Sequence, residues 1–379
     1  DKPAKVNIIC SPRTRSVLIV ILGGIATSPD ALCLRIMHHF TDSPFNVLFW
    51  KGCTLALSMF VLAVVVTPRD RTVLGDLRAW LRLSPLHLAV TCLSLSFYQA
   101  GFAISVLFTN PSRALLLMAL APLWAALIGR VFLGERLPLH AFFILSMSCA
   151  AVGLIAYSSA SDAEETIAKP ANFALGSSKL QLIGDCIAVC AGLSLAVFVS
   201  ALRFTAVRKP SLSKTTTMWL APTCVATAGL AASLTRGDFF LPTSPIPYLA
   251  ALISGFGAGA FWLAAARASK HITGTDLALI QLLEDMLDPV IVYLFGFSDA
   301  PTTWTIVGGS ILLCSVCAHE VLMAYTTRKT ETAGSSLPQG SKSASSTNLV
   351  CMAQGSERNV STPCGLVLSS EVNPYGVLP

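Results

Sequence analysis

Three carboxylates stand inside one apolar stretch late in the chain: Glu284, Asp285 and Asp288. Glu284 and Asp288 are spaced i,i+4, which puts them on one face of a helix. Ionisable residues inside a membrane span are costly and are functional by default. Two carboxylates held close in a low dielectric do not both ionise readily, so the pair is expected to hold a proton in one conformation and release it in another. The bland alternative is that Glu284 caps or pairs structurally with a neighbouring helix. A second set, Asp30 and Lys51, lies at similar depth in the first two apolar runs, with Pro29 placed to open the first helix beside them. They could pair across a bundle along a solute path, form a purely structural ion pair, or leave Lys51 to snorkel to the surface. Arg35 is read as snorkelling. Tyr98, Gln99, Trp124 and Trp262 could line a cavity, with packing as the alternative for the rings.

Other chemistry finds no residues to carry it. His319-Glu320 begins like a zinc-protease motif, but position 323 is Met. GxSxG and phosphate-binding GxxxxGK[ST] loops are absent. Gly255, Gly257 and Gly259 lie in an apolar run with no strand before them, so they are read as a close helix contact rather than a nucleotide loop. Most of the 12 cysteines (Cys33, Cys53, Cys92, Cys149, Cys186, Cys190, Cys224, Cys314 and Cys317 among them) lie in apolar runs, where a thiol acts as a small hydrophobe. The Cys314-xx-Cys317 pair has no second pair to complete a metal site. No cofactor and no metal are expected.

The elements that must position these residues follow from composition. The chain has 379 residues, 54% hydrophobic and 12% charged, with mean hydropathy +0.68. A soluble domain carries about 25% charged residues. This balance defines an integral membrane protein of all-α class. Net charge is +6, but the basic residues are scattered singly, so nothing points to nucleic acid. Ten apolar runs are long enough to cross a bilayer, which takes about 20 residues as a helix. They fall near 17–37, 45–66, 85–108, 111–134, 138–157, 182–203, 215–234, 247–268, 272–297 and 302–324. Residues 1–16 are a polar, basic N-terminal segment, 67–84 a link, and 158–179 a polar linker between halves. Residues 325–379, rich in Ser, Gly and Thr, are expected to be a disordered tail. The chain opens on Asp1, so its native start is expected upstream, and no signal peptide is visible.

Basic residues set the expected orientation. With the N-terminus in the cytoplasm, that side holds the arginines and lysines of 2–15, 69–82, 130–136, 203–214, 267–270 and 328–329. The other side holds only Arg113, Lys169, Lys179 and Arg236. Both ends are then cytoplasmic, and the Asn359-Val360-Ser361 sequon should stay unmodified. Which membrane holds the protein is left open.

The halves echo each other. Arg35 matches Arg203 at 203 − 35 = 168, Pro122 matches Pro289 at 289 − 122 = 167, and Glu135 matches Asp299 at 299 − 135 = 164. Five spans per half make the repeat inverted, 17–157 against 180–324. Transporters built this way place the solute near midplane, often beside broken helices. Pro122 and Pro289 sit near the middle of the fourth and ninth spans, as site markers or simple packing kinks.

The segment 121–127, Ala-Pro-Leu-Trp-Ala-Ala-Leu, leading into Leu133-Gly134-Glu135-Arg136-Leu137, resembles the fourth-helix signature of EamA-type members of the drug/metabolite transporter superfamily. Leu282-Leu283-Glu284, Pro289, Gly296 and Asp299-Ala300-Pro301 look like its second-half counterpart, with Asp299 where relatives carry Glu. Phe49-Trp50-Lys51-Gly52 is similar to the second-helix opening. The resemblance implies ten helices in two inverted repeats and small-molecule transport, often proton-linked efflux. The function expected is therefore a secondary transporter of small organic solutes. The acidic ninth span favours neutral or cationic solutes over phosphorylated sugars. The partners expected are the lipid bilayer, a small solute and a coupling proton, with the oligomeric state open. A non-transporting receptor or scaffold is the alternative, and an intramembrane enzyme a weaker one.

Overall fold

Apolar runs interrupted by proline dictate where the helices start and stop. The computed structural model describes residues 12–66, 72–109, 111–134, 178–239 and 241–297, with scattered helical positions between 143 and 153 and between 303 and 322. Among the described residues the protein is all helical, without a strand. The helices are α1 (Pro12–Thr27), α2 (Asp30–Thr41), α3 (Pro44–Val66), α4 (Val73–Leu83), α5 (Pro85–Phe108), α6 (Pro111–Met118) and α7 (Ala121–Ile128). A π-helical turn, Gly129–Leu133, continues α7. After it come α8 (Ser178–Arg208), α9 (Thr215–Arg236), α10 (Ile246–Ala268) and α11 (Gly274–Leu294). All belong to the first of two compact units, Asp1–Glu320 and Val321–Pro379. Glu135, Asp299 and the tail lie outside the described residues, as does most of the fifth and tenth runs.

Among the described residues six helices are long and apolar enough to cross a membrane, the first being the α1–α2 pair, Pro12–Thr41. α11 has 21 residues but carries Asp276, Glu284, Asp285 and Asp288. The bundle turns large apolar side chains outward, such as Leu22 at 66% and Leu93 at 65% exposed. In water such a surface would aggregate; against lipid it is the solvated face.

The first span breaks at Ser28-Pro29, because proline has no N–H to return to the carbonyl of Ile25. The freed region is repaired locally. Ser28 N–H reaches the Ile25 carbonyl at 3.3 Å, and Ser28 Oγ donates to the Gly24 carbonyl at 3.0 Å. Thr27 Oγ1 donates to the Gly23 carbonyl at 2.9 Å and approaches the Gly257 carbonyl at 3.2 Å. The fourth span breaks at Ala119-Leu120, just before Pro122, which starts α7 rather than kinking its middle. Pro122 leaves the Met118 carbonyl without its helical donor. α8 packs at that point through Gly192, where a Cβ would stand 3.0 Å from the same oxygen.

Two expectations are corrected. The link 67–84 contains α4, whose Trp80 is fully buried and donates from Nε1 to the Ser213 carbonyl at 2.7 Å. Arg35 does not snorkel: its Nη2 donates to the Val106 carbonyl, in the last turn of α5, at 3.2 Å. Carbonyls at a helix end lack intrahelical partners and favour a cation, which is what the guanidinium supplies there. Arg203 does the same at the end of α10, donating to the Ser269 carbonyl at 2.7 Å. Lys214, just before α9, also meets Ser269, its Nζ 3.2 Å from Oγ. Burial, then the nearby Lys270 and Arg203 cations, push the Lys214 ammonium down to about 8.

The helices cross closely where glycine allows it. A Cβ on Gly52 would meet the Ala226 backbone at 2.6 Å, so α3 and α9 touch main chain to main chain. In α10, Gly255 lies against Thr54 of α3 and Gly257 against Ala26 of α1, as the small-residue reading of that run expects. α5 packs on α8 and α9, α1 and α3 on α10, α7 on α8, and α11 on α1, α7 and α8.

Candidate functional site

The break at Pro29 places Asp30 in the first turn of α2, where unpaired backbone N–H groups favour a negative charge. Asp30 is 4% exposed, and both its oxygens are used. Lys51 Nζ of α3 donates to Oδ2 at 2.5 Å, and Ser254 Oγ of α10 donates to Oδ1 at 2.5 Å. Lys51 is itself 4% exposed and sits 4.6 Å from the centroid of the Phe102 ring, an attractive face for a cation. The pair foreseen between these two residues therefore exists, and Ser254 completes it.

A cavity lies beside this pair. Its wall includes Asp30, Lys51, Tyr98, Gln99, Trp262 and Glu284, six of the residues picked out from sequence. They come from α2, α3, α5, α10 and α11, so the tertiary structure gathers them from across 255 positions of chain (284 − 30 = 254 steps). The free space for the centre of a water molecule is about 20 Å³, room for one or two waters. The cavity is closed to an organic solute in this conformation. Tyr98 meets Trp262 edge to face at 5.8 Å, and Trp262 meets Phe198 at 5.2 Å, so the apolar wall is a locked set of rings.

α11 enters through a capping box at Thr273 and Asp276, and Asp276 also pairs with Arg13 of α1 at 3.2 Å. Two turns on, Glu284 faces the cavity and accepts from Gln281 Nε2 one turn before it. Gln281 was not singled out from sequence, although its i,i+3 spacing to Glu284 puts it on the same face. Asp288 is fully buried, within electrostatic reach of Cys33 of α2, and is not part of the cavity wall. Pro289 lies in α11, with its ring outside the described side chains. Pro122 is buried and Trp124 half-buried on α7; neither belongs to the wall, and the Trp124 indole N–H is buried without a partner.

Gln99 has an unusual position. It is 5% exposed on α5, and both Oε1 and Nε2 lack a partner. Gln281 Oε1 is likewise unpaired. Phe102, Phe261 and Thr27 complete this part of the wall and were also missed from sequence. Phe102 follows Tyr98 by one turn, a signal that was available. Phe261 adjoins Trp262 and carries no such mark. Among the described residues no three His, Cys, Asp or Glu side chains converge as a metal site.

These features define an integral, multi-pass helical membrane protein with a small cavity inside its bundle. Residues 14–157 match the EamA-like transporter family, which belongs to the drug/metabolite transporter superfamily. That family consists of transporters, not enzymes, and the match suggests a membrane transporter of that type. No curated protein matches the chain. Among the solved structures that resemble it is a crystal structure with TM-score 0.60 and 16% identity, over 82% of this chain and 97% of that chain. At that identity the likeness is one of fold.

Proposed function

We propose that this protein is a secondary transporter that moves small organic solutes by alternating access between two inverted five-helix repeats. Residues 17–157 and 180–324 form the repeats, joined by 158–179 outside the cytoplasm. The segments 1–16 and 325–379 are cytoplasmic. The observation that carries the reading is the gathering of Asp30, Lys51, Gln99 and Glu284 around one small cavity in a lipid-facing bundle. Buried charge and unpaired amides in such a place are costly for stability and useful for a solute.

Several contacts support the inversion. Arg13 at the start of α1 meets Asp276 at the start of α11, so both helices enter from one face. Thr109 after α5 donates to Asp185 near the start of α8 at 3.1 Å. With α1–α2, α3 and α5 as successive crossings, α8 then starts from the face opposite to α1. Arg35 and Arg203 hold matching positions, and each closes the end of the third span of its own half, α5 or α10. Helix packing is also unchanged by exchanging halves: α5 on α8 mirrors α10 on α1, and α9 on α5 mirrors α3 on α10.

Coupling is to protons, through Glu284 with Asp288 one turn beyond it. Both are buried, and ionisable residues inside a span are costly and functional by default. The test is uptake into sealed liposomes with a solute panel under an imposed pH gradient. Solute movement that follows the gradient and loses its pH dependence in Glu284→Gln is the expected result. Full pH dependence in that variant would remove Glu284 from coupling, and no movement of any solute would remove the transport reading.

A further inference from the structure

Two amide side chains border the same small cavity without bonding each other. Gln99 of α5 is 5% exposed, and neither its Oε1 nor its Nε2 has a partner. Gln281 of α11 gives its Nε2 to Glu284 and keeps its Oε1 unpaired. Both side chains belong to the cavity wall. The charged groups of the wall are already engaged: Lys51 and Ser254 hold Asp30, and Glu284 accepts from Gln281. What the wall leaves to a guest is therefore uncharged and balanced. It is one amide nitrogen that donates and two amide oxygens that accept. Buried amide atoms without partners retain their desolvation cost until something bonds them. Four rings, Tyr98, Phe102, Phe261 and Trp262, make up much of the remaining wall.

We infer that the site reads a neutral primary carboxamide carried on a flat apolar body, with Gln99 and Gln281 as the specificity residues. This rests on the transport reading of the same cavity and names its solute class. A carboxamide has one carbonyl oxygen and two N–H groups. Its carbonyl accepts from Gln99 Nε2 while the adjacent N–H donates to Gln99 Oε1, the paired edge that two amides form. Its second N–H goes to Gln281 Oε1. A carboxylate of the same shape brings no N–H and leaves both amide oxygens unpaired. An amidinium brings no acceptor, leaves Gln99 Nε2 unpaired, and adds a charge where the carboxylates already have partners. A site built on buried hydrogen bonds rejects an analogue that leaves them unmade more strongly than an apolar pocket rejects a change of size. The flat body packs among the rings. The cavity has room for one or two waters only, so the solute enters a wider conformation.

The probes are benzamide, benzoate and benzamidinium, which share one shape and differ in charge and hydrogen-bond pattern. Isothermal titration of the full chain in detergent should show saturable binding of benzamide, with both ions bound about tenfold or more weakly. Gln99→Leu should weaken benzamide binding by about tenfold or more, the worth of the hydrogen bonds it removes. Its melting temperature should stay at or above the parent's, since an unpartnered amide leaves the core. If that variant fails to fold, the three probes on the parent chain still decide. Either ion bound as tightly as benzamide would overturn the assignment. So would a folded Gln99→Leu protein that binds benzamide within about twofold of the parent. Absence of benzamide binding by a chain that moves other solutes in liposomes would also overturn it, leave the amides to be bridged by water, and keep the transporter reading. Benzamide bound selectively by a chain that moves no solute would keep the site's preference and remove transport. A chain that binds no probe and moves no solute would remove both.

Discussion

Lys51 and Asp30 form a buried pair in which each residue is tolerated only because of the other. Removing one partner leaves a charge uncompensated, which costs about 3–5 kcal/mol, whereas removing both charges is often nearly neutral. Lys51→Met should therefore lower thermal stability strongly in detergent, and Asp30→Asn/Lys51→Met should recover most of the loss. A double variant as unstable as the single one would mean that Lys51 is held by more than Asp30, the Phe102 face included. Glu284 differs from this pair. It accepts from the neutral amide of Gln281 and borders the cavity, so its substitution is expected to change coupling. At this scale the sequence marked the expensive residues well, since a charge in an apolar run is visible without coordinates. It marked the uncharged ones poorly. Gln281 and Ser254 are ordinary polar residues whose importance arises only from what lies opposite them.

Among the helices, the glycines of α10 decide how near its neighbours can come. A Cβ on Gly257 would stand 2.5 Å from the Ala26 carbonyl oxygen, so α1 or α10 must move to admit it. Gly24, on α1, has nothing within 4 Å of the same added atom. Gly257→Ala should cost about 1–3 kcal/mol through overpacking. Gly24→Ala should be neutral or stabilising by up to about 1 kcal/mol from helix propensity. Paired melting curves check this; equal effects at both positions would mean that α1 and α10 are not in close contact. The broken spans belong to the same scale. Pro29 and Pro122 were legible as breaks, but the position of the second was not. The interruption falls at Ala119-Leu120, where Gly192 of α8 packs close to the freed Met118 carbonyl, and a π-helical turn follows α7.

For the whole molecule, the proposed two-fold arrangement predicts topology. Asn359 should carry no glycan, because the proposed tail faces the cytoplasm, and a glycan at that sequon would reverse the orientation. Single cysteines introduced near Arg13 and near Asp185 into a background lacking exposed thiols should be labelled from opposite sides of sealed vesicles. Labelling of both from one side would end the inverted arrangement, since α1 and α8 would then start from the same face. The family match reaches residues 14–157, and the proposed repeat relates the second half to it through the echo of Arg35, Pro122 and their counterparts. In the structure Arg35 and Arg203 each donate to a carbonyl at a helix end.

Hydropathy alone determined that this chain lives in a bilayer as a bundle of helices, because burying so many apolar residues with so few charges has no other solvent. Placement of costly residues within those runs, Asp30, Lys51, Glu284 and Asp288, was likewise a property of the linear order. Assembly decided the rest. Which of these charges share a cavity, that Asp30 is saturated while Gln99 is left unbonded, and that Asp288 stands outside the wall all depend on helix rotation. Rotation is set by contacts between distant segments, such as Gly257 on Ala26 and Gly192 on Met118, which no local pattern encodes.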